Sequence, residues 1–254
     1  MIISHKYRYV FVELPRTGST AVNRELRELY DGHRILAKHA TYRDFLRQAS
    51  ADEKAYFSFS GIRNPLDVAV SRYATLKWNQ YGYFTDPEEL AKRRALPQLL
   101  ENRLHRWVQR NDATFEDFLR RWYLVPYDTW SSLDHHRMDA ILRFESLADD
   151  FESVLHRLGI EPVRRLPVVN VTPERGRDYL SSYTPAAIER AVWVFGPYME
   201  EWGYDLPEEW GARRVPSWSR WYLRLARFFR GLYWKYGRPN DYVKHHPMMR
   251  RPQT

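Results

Sequence analysis

The spacing of hydrophobic residues predicts a strand, a tight turn and a helix near the start of the chain. In YRYVFVE, residues 7–13, valines alternate with aromatic and polar residues, which is typical of a strand. Val22, Leu26 and Leu29 then recur at the spacing of one helical face. Between these two elements lies PRTGST, residues 15–20, which we expect to form the turn.

The same criteria predict alternating strands and helices as far as residue 160. Apolar runs predict strands at 34–38, 55–63 and 139–144. Helical spacing predicts helices at 42–49, 66–78, 99–110, 114–124 and 146–160, of which the last is expected to be capped and to end at Gly159. Asn64-Pro65 and Thr114 with Asp117 are further capping signals. Alternation of this kind indicates an α/β fold with a mainly parallel central sheet.

Two polar segments are predicted to lie at the carboxyl ends of strands, where α/β folds bind their ligands. The first is PRTGST, where the free N–H groups and the dipole of the following helix favour an anion. It is not the P-loop of nucleotide hydrolases, which has Lys and Ser/Thr directly after its second glycine. Here Ser19 and Thr20 follow Gly18, and the cation Arg16 precedes it. The alternative is a plain helix N-cap, for which Ser and Thr are ordinary residues.

The second polar segment begins at the end of the strand predicted over 55–63. In GIRNPLDVAVSRY, Arg63 ends the strand and Ser71 follows two turns into the next helix. An arginine can bind a phosphate through two N–H groups, and a serine hydroxyl facing the same way adds a third bond. Arg72 lies on a different row and is expected to face solvent or pair with an acid. Two anion sites on neighbouring strand ends suit a nucleotide that is phosphorylated at two positions.

Composition excludes several classes of site and divides the chain in two. The sequence has no cysteine, which excludes disulfides, zinc-thiolate sites and cysteine nucleophiles. Its net charge is +8, but residues 211–254 hold eleven Lys/Arg and one acid, so residues 1–210 carry a net charge of −2. We therefore expect a catalytic domain over 1–210 and a basic, aromatic tail over 211–254. The absence of a long apolar run and of a signal-peptide pattern predicts a cytoplasmic protein.

The two polar segments carry a family resemblance. PRTGST followed by RNPLDVAVSRY resembles the donor-binding pair of sulfotransferases that use 3′-phosphoadenosine 5′-phosphosulfate. KHATYRDF, residues 38–45, is similar to the segment with the catalytic histidine in heparan sulfate 2-O-sulfotransferase-like enzymes. LRFESLADDF and the segment from VNVTPERGR to EEWGYDLP resemble later parts of carbohydrate sulfotransferases, so the likeness covers most of residues 5–207. The resemblance implies a P-loop-like three-layer fold and transfer of a sulfuryl group to a hydroxyl, with a carbohydrate as the expected acceptor.

The resemblance also implies which residues bind the donor. The turn would hold the 5′-phosphosulfate, and Arg63 and Ser71 would hold the 3′-phosphate. TPERGR, residues 172–177, lies where the family has a basic loop over the nucleotide. In this loop, Arg175 or Arg177 is expected to contact the 3′-phosphate. The alternative is that both arginines are solvated. The expected donor-binding residues are Pro15, Arg16, Thr17, Gly18, Ser19, Thr20, Arg63, Ser71 and Arg175.

His39 and Arg16 are the expected catalytic residues. His39 follows a predicted strand end, its ordinary pKa of about 6.5 suits a general base, and the family match continues around it. The weaker candidates are His33, His105, His135 and His136. The family's usual residue at position 16 is lysine. An arginine keeps the positive charge on the leaving group but, with a pKa above about 12, is a poor proton donor. No metal is expected, because the sequence shows no ligand spacing and charge stabilisation supplies most of the rate.

The acceptor site and the reaction class have alternatives. Residues 79–112 read as an insertion, and Trp78, Tyr81, Tyr83 and Phe84 either stack on a sugar or form a small satellite core. A P-loop-type kinase of a small molecule is the second hypothesis, against which the missing Lys-Ser/Thr pair argues. The third is a catalytically inactive, membrane-associated binding protein, which the arginine at position 16 favours.

The distribution of basic and aromatic residues over 217–237 predicts an amphipathic helix in the tail. One side of the helical wheel carries Arg220, Arg224, Arg227, Arg230 and Lys235, the other is rich in aromatic residues, and Leu223 and Trp234 depart from this division. This pattern is typical of a helix in a membrane interface, which would place the protein at the inner face of an anionic membrane. The alternatives are that the apolar face docks on the catalytic body, or that the arginines bind an anionic polysaccharide. No nucleic-acid partner is expected.

Overall fold

The computed structural model describes residues 1–93, 96–129, 134–167 and 178–233. Within these ranges the chain forms two compact units. The first takes in residues 1–63 and 129–171 and the chain from residue 227 onwards, and the second takes in residues 64–128 and 172–226.

A five-stranded sheet organises the first unit. Its strands are β1 (Ile2–Ser4), β2 (Tyr9–Val12), β3 (His33–Arg34), β4 (Phe57–Ile62) and β5 (Ala140–Arg143), in the order β3-β1-β2-β4-β5. β2 pairs with β4 and β4 with β5 in parallel, whereas β1 is antiparallel to β2 and β3. Four of these five strands therefore run in one direction, which confirms the predicted α/β class and mostly parallel sheet.

Both faces of this sheet are covered. Tyr9 and Phe11 of β2 lie in a core with residues of α1 (Ser19–Leu29) and α7 (Leu147–Arg157). Val10 and Val12, one position out of phase, lie in a second core with residues of α2 (Tyr42–Leu46). A strand that is buried on both faces is expected where helices cover both sides of a parallel sheet.

The second unit is helical. It contains α3 (Pro65–Lys77), α4 (Pro87–Lys92), α5 (Leu96–Arg110), α6 (Phe115–Trp122), α8 (Pro185–Glu201) and most of α9 (Ser217–Leu232). The caps predicted at Asn64 and at Thr114 are confirmed. Asn64 Oδ1 accepts a hydrogen bond from the Leu66 amide at 3.0 Å, and Thr114 and Asp117 form a capping box. Leu66, Phe118 and Phe195 belong to the shared core of these helices.

The structure corrects several predicted elements. Only residue 34 of the predicted strand 34–38 is in a strand, and β1, which pairs with it, was not predicted. The helices α4 and α8 were not predicted either. A proline, Pro197, lies inside α8. β5 was expected to be buried, but only Leu142 is. The predicted side-chain cap of α7 is absent among the described contacts, since Ser146 makes none, although Gly159 ends the helix region at φ +71° as expected.

No helix in the described ranges is long and apolar enough to cross a bilayer.

Candidate functional site

The PRTGST turn connects β2 to α1 and is closed by its own hydroxyl groups. Thr17 Oγ1 donates a hydrogen bond to the Leu14 carbonyl at 3.1 Å, and Ser19 Oγ donates to the same oxygen at 2.7 Å. Both side chains are buried, whereas Pro15 and Thr20 are exposed. Two of the three hydroxyls therefore hold the turn together, and the Thr20 hydroxyl is the one that faces outward.

Gly18 allows the turn to enter α1. It is the N-cap residue at φ +71°, and a Cβ at this position would lie 2.5 Å from Leu147 Cδ2 and 3.2 Å from Phe144 Cδ2. Arg16 also has a left-handed backbone, with φ +65°. Among the contacts of the described chain, no side chain caps the N-terminus of α1. The Ala21 amide donates to the Gly18 carbonyl at 3.0 Å, and the positive end of the helix dipole favours an anion at the turn.

Arg63 braces this turn from the neighbouring strand. Its Nη1 donates a hydrogen bond to the Arg16 carbonyl at 3.1 Å, and its guanidinium carbon lies 3.9 Å from the ring centroid of Phe144. The side chain is only 6% exposed. Two residues earlier, a Cβ at Gly61 would lie 3.1 Å from Thr17 Cβ, so the end of β4 and the turn are in close contact. The structure thus brings together Arg16 and Arg63, the two cations expected from the sequence.

His39 is joined to the same strand end. Its Nδ1 lies 3.0 Å from the backbone carbonyl oxygen of Glu13, directly before the turn. Because a carbonyl oxygen only accepts hydrogen bonds, Nδ1 is the protonated nitrogen. The neutral ring therefore carries its lone pair on Nε2, as a general base requires.

The surroundings of His39 favour the neutral ring. Burial lowers the pKa of His39 below its usual value, and the nearby Lys38 charge lowers it further. The hydrogen bond to the Glu13 carbonyl raises this pKa but does not offset the burial. His39 adopts φ +66°, a backbone conformation that a histidine rarely takes without support from its neighbours.

The residues after His39 supply that support. Thr41 and Asp44 form a capping box at the start of α2, with Asp44 almost completely buried. Tyr42 and Phe45 stack on each other with ring centroids 5.9 Å apart and lie in the core beneath the sheet. Tyr42, Asp44 and Phe45 are the residues that match the family segment KHATYRDF. In the structure they fix the start of α2, which directly follows the backbone of His39.

An ion pair between half-buried Arg43 and buried Asp134 holds α2 in place. Arg43 Nε lies 3.0 and 2.8 Å from the two carboxylate oxygens of Asp134, which is 3% exposed. Arg137 adds a contact to the same carboxylate at 3.3 Å. Sequence reasoning missed Asp134, Glu13 and Phe144, because each acts through a partner distant in sequence.

The other candidate histidines have different positions. His33 and His136 are exposed. His105 is buried in the second unit, where its Nδ1 lies 2.8 Å from the Leu76 carbonyl oxygen and its ring stacks on Phe84. His135 is 1% exposed. Among the five candidates, His39 is the one bonded to the strand end that leads into the turn.

The other residues predicted in or beside the donor site are Ser71, Arg72, Arg175 and Arg177. Ser71 is half-buried on α3 of the second unit, and Arg175 and Arg177 lie outside the described residues. Arg72 pairs with Glu101 and lies over the ring of Trp122, so it is a pairing residue, one of its two predicted roles.

The aromatic residues of the predicted acceptor region divide into two groups. Phe84 is buried against His105, as in a satellite core. Trp78 and Tyr83 are exposed, and the side chain of Tyr81 lies outside the described residues. In the described part of the chain, no three His, Asp or Glu side chains are grouped to hold a metal ion.

Comparison with protein families matches residues 1–191 to the Sulfotransferase family. The match spans the whole of β1–β5 and ends inside α8. The chain belongs to the sulfotransferase family. Within this sulfotransferase, the family match includes the PRTGST turn, His39, Arg63 and Ser71, whereas α9 lies beyond it. No characterised protein and no solved structure matches the chain.

Proposed function

We propose that this sulfotransferase moves a sulfuryl group from 3′-phosphoadenosine 5′-phosphosulfate to a carbohydrate hydroxyl, in the manner of the heparan sulfate 2-O-sulfotransferase-like group. The observation that carries the proposal is the bond between His39 Nδ1 and the Glu13 carbonyl. It ties a neutral imidazole to the strand end that leads directly into an anion-binding turn. A base and an anion site in this arrangement suit the activation of a hydroxyl against a bound sulfate ester.

The donor is proposed to bind with its 5′-phosphosulfate at the turn of residues 15–20. The first N–H groups of α1 and the Thr20 hydroxyl would contact its oxygens, while Thr17 and Ser19 keep the turn closed. Arg63 would contribute its charge to the donor and hold the backbone of Arg16. Arg63, Ser71 and Arg175 remain the proposed ligands of the 3′-phosphate, and the proposed fold is a P-loop-like three-layer arrangement.

In the proposed reaction, His39 Nε2 accepts the proton of the acceptor hydroxyl. The acceptor oxygen forms a bond to sulfur as the bond between sulfur and the bridging oxygen of the donor breaks. The electron pair of that bond remains on 3′,5′-bisphosphoadenosine. The Arg16 charge stabilises the bridging oxygen as it becomes anionic, without giving up a proton. Metal is not part of this scheme.

The proposal assigns catalysis to residues 1–210 and treats the basic tail 211–254 as an appended region. This division is supported by the change in net charge at residue 210 and by the family match, which ends before the tail. Contact of residues 217–237 with an anionic membrane surface is a separate proposal, argued below.

The test combines a binding and a transfer measurement. The protein is expected to gain thermal stability with 3′,5′-bisphosphoadenosine in the presence of EDTA, and to transfer labelled sulfate from the donor to a member of a glycan panel. Stabilisation by ATP with magnesium in place of the bisphosphate would indicate the kinase alternative. Bisphosphate binding without transfer to any glycan or lipid acceptor would indicate the inactive binding protein, the alternative that Arg16 favours.

A further inference from the structure

Helix α9 is fixed to α8 by its first turns. The Ser219 hydroxyl donates a hydrogen bond to the Trp193 carbonyl, and Ser219 is completely buried. Arg220 forms two hydrogen bonds with the Glu200 carboxylate, at 2.7 and 2.8 Å. Leu223, one turn after Ser219, is 4% exposed. These contacts determine which side of α9 faces the protein.

The segment that enters α9 is closely packed as well. Val215 is buried, and a Cβ placed on Gly196 of α8 would lie 2.5 Å from Val215 Cγ2. The approach therefore requires glycine at position 196. Because α9 is held both at this point and along its first two turns, its rotation about its own axis is set.

The opposite side of α9 is aromatic and exposed. Trp221, Phe228 and Phe229 are 63%, 61% and 60% exposed. At about 100° per residue, Trp221 and Phe228 lie opposite Ser219 and Leu223, and Phe229 lies at one edge of the same arc. Leu232 is a further exposed member of this arc, and we call these four residues the aromatic face of α9. The expected alternative, in which the apolar face docks on the body, is wrong for the described residues, because Ser219 and Leu223 form the docking side.

Positive charge is concentrated in the same part of the chain. Arg213, Arg214 and Arg224 are exposed, and Asp241 is the sole acidic residue of the sequence after Glu209. Tryptophan and tyrosine concentrate at the water interface of a bilayer, and basic residues next to them bind anionic headgroups. A second copy of the chain would bring the same positive charge against itself, so charge complementarity favours an anionic surface over self-association.

We propose that the aromatic face of α9 inserts into the interfacial region of an anionic membrane while the opposite side holds the body of the protein. The exposed arginines contact the headgroups, and Trp221, Phe228 and Phe229 enter the boundary between headgroups and acyl chains. This inference goes beyond sulfuryl transfer, and it is tested without donor or acceptor.

The test is co-sedimentation of the full chain with vesicles. The wild type is expected to sediment with phosphatidylglycerol-containing vesicles, to bind pure phosphatidylcholine vesicles far less, and to dissociate as salt is raised. The triple variant Trp221→Ser, Phe228→Ser, Phe229→Ser is expected to lose more than about tenfold in partitioning. The matched control replaces two exposed apolar residues elsewhere, Leu124→Ser and Val163→Ser, and is expected to bind as the wild type does.

The charge contribution is tested with Arg214→Gln and Arg224→Gln. Each is expected to reduce binding to anionic vesicles by about fivefold at low salt. All variants leave Ser219, Arg220 and Leu223 unchanged, so the melting temperature should stay within about 2 °C of the wild type.

Three results would overturn the proposal. One is a wild type that sediments with neither kind of vesicle. Another is a triple variant that binds as tightly as the wild type. The third is a wild type that elutes as a dimer while the triple variant elutes as a monomer, since the aromatic face would then be covered by a second copy.

Discussion

His39 donates its Nδ1 proton to the carbonyl oxygen of Glu13 across a distance of 3.0 Å. Glu13 is followed by the turn that includes Arg16, Gly18 and Ser19. The bond fixes the tautomer of the imidazole and also fixes the base relative to the turn. The proposed catalytic group and the proposed anion site are therefore parts of one hydrogen-bonded assembly, and the predictions below test its members separately.

Replacing His39 with Ala is expected to lower turnover by roughly 10²–10⁴-fold, because no other group would accept the acceptor proton. Affinity for 3′,5′-bisphosphoadenosine should remain close to that of the wild type in calorimetry. His33→Ala removes an exposed histidine and is the control, expected to be fully active. A parallel loss of bisphosphate affinity in the His39 variant would show that His39 supports the turn and is not the base.

The pH dependence of kcat/KM should have its acidic limb below about pH 6.5, because burial lowers the pKa of His39 and protonation abolishes the base. Lys38→Ala removes a charge that lowers this pKa, so it should move the limb to higher pH. The same linkage affects stability. Because the pKa of His39 is lower in the folded than in the unfolded state, the neutral ring contributes to the free energy of unfolding. This contribution is complete above about pH 6.5, the unfolded pKa, and is lost as pH falls from there through the lower folded pKa. If the acidic limb of kcat/KM does not move in Lys38→Ala, the group that titrates there is not His39.

Arg63→Ala is expected to weaken bisphosphate binding by about 1.5–3 kcal/mol, because it removes a buried charge and a bond to the Arg16 carbonyl. Arg63→Lys should recover only part of the loss, since lysine keeps the charge but not the planar contact with Phe144. Arg165→Ala removes an exposed arginine paired with Asp149 and serves as the control. Unchanged affinity in Arg63→Ala, measured by calorimetry, would exclude Arg63 from donor binding.

Arg16→Lys is expected to retain activity, because the charge at the leaving group is kept. Arg16→Ala should lose most of the activity. The loss should appear in kcat, because the bridging oxygen becomes anionic only in the transition state. Arg24→Ala, at an exposed position on α1, controls for the removal of a nearby cation. Steady-state kinetics with labelled donor distinguish the variants, and an active Arg16→Ala protein would remove Arg16 from the mechanism.

Gly18→Ala should destabilise the protein more than Gly159→Ala. Both glycines have φ +71°, so an alanine meets the same backbone strain at either site. At Gly18 the new methyl group also collides with Leu147, whereas no atom lies within 4 Å at Gly159. We expect an additional loss of about 1–3 kcal/mol in the free energy of unfolding, measured with urea. Equal losses would mean that the Leu147 contact relaxes without cost.

Local chemistry explains which features the sequence predicted correctly. The caps at Asn64 and Thr114 are formed by side chains within three residues of the groups they bind, so their signals lie in short stretches of sequence. The turn after β2 was located for the same reason. β1 was missed, because its three residues are recognisable as a strand only through their partners in β2 and β3.

Two further features were not predicted, one inside the turn and one that depends on a contact distant in sequence. The hydroxyls of Thr17 and Ser19 point to Leu14 because of how the turn closes, which composition does not reveal. The orientation of α9 depends on Ser219 meeting the carbonyl of Trp193, 26 residues away. No pattern within 217–237 indicates which side of the helix α8 covers.

The closed turn also bears on the speed of ligand capture. Thr17 and Ser19 hold it through the Leu14 carbonyl after β2, and Arg63, the residue after β4, holds it through the Arg16 carbonyl. An anion that enters this turn meets N–H groups whose directions are already set. We therefore expect the association rate of the nucleotide to be governed by diffusion and by the local positive field, and to fall with ionic strength.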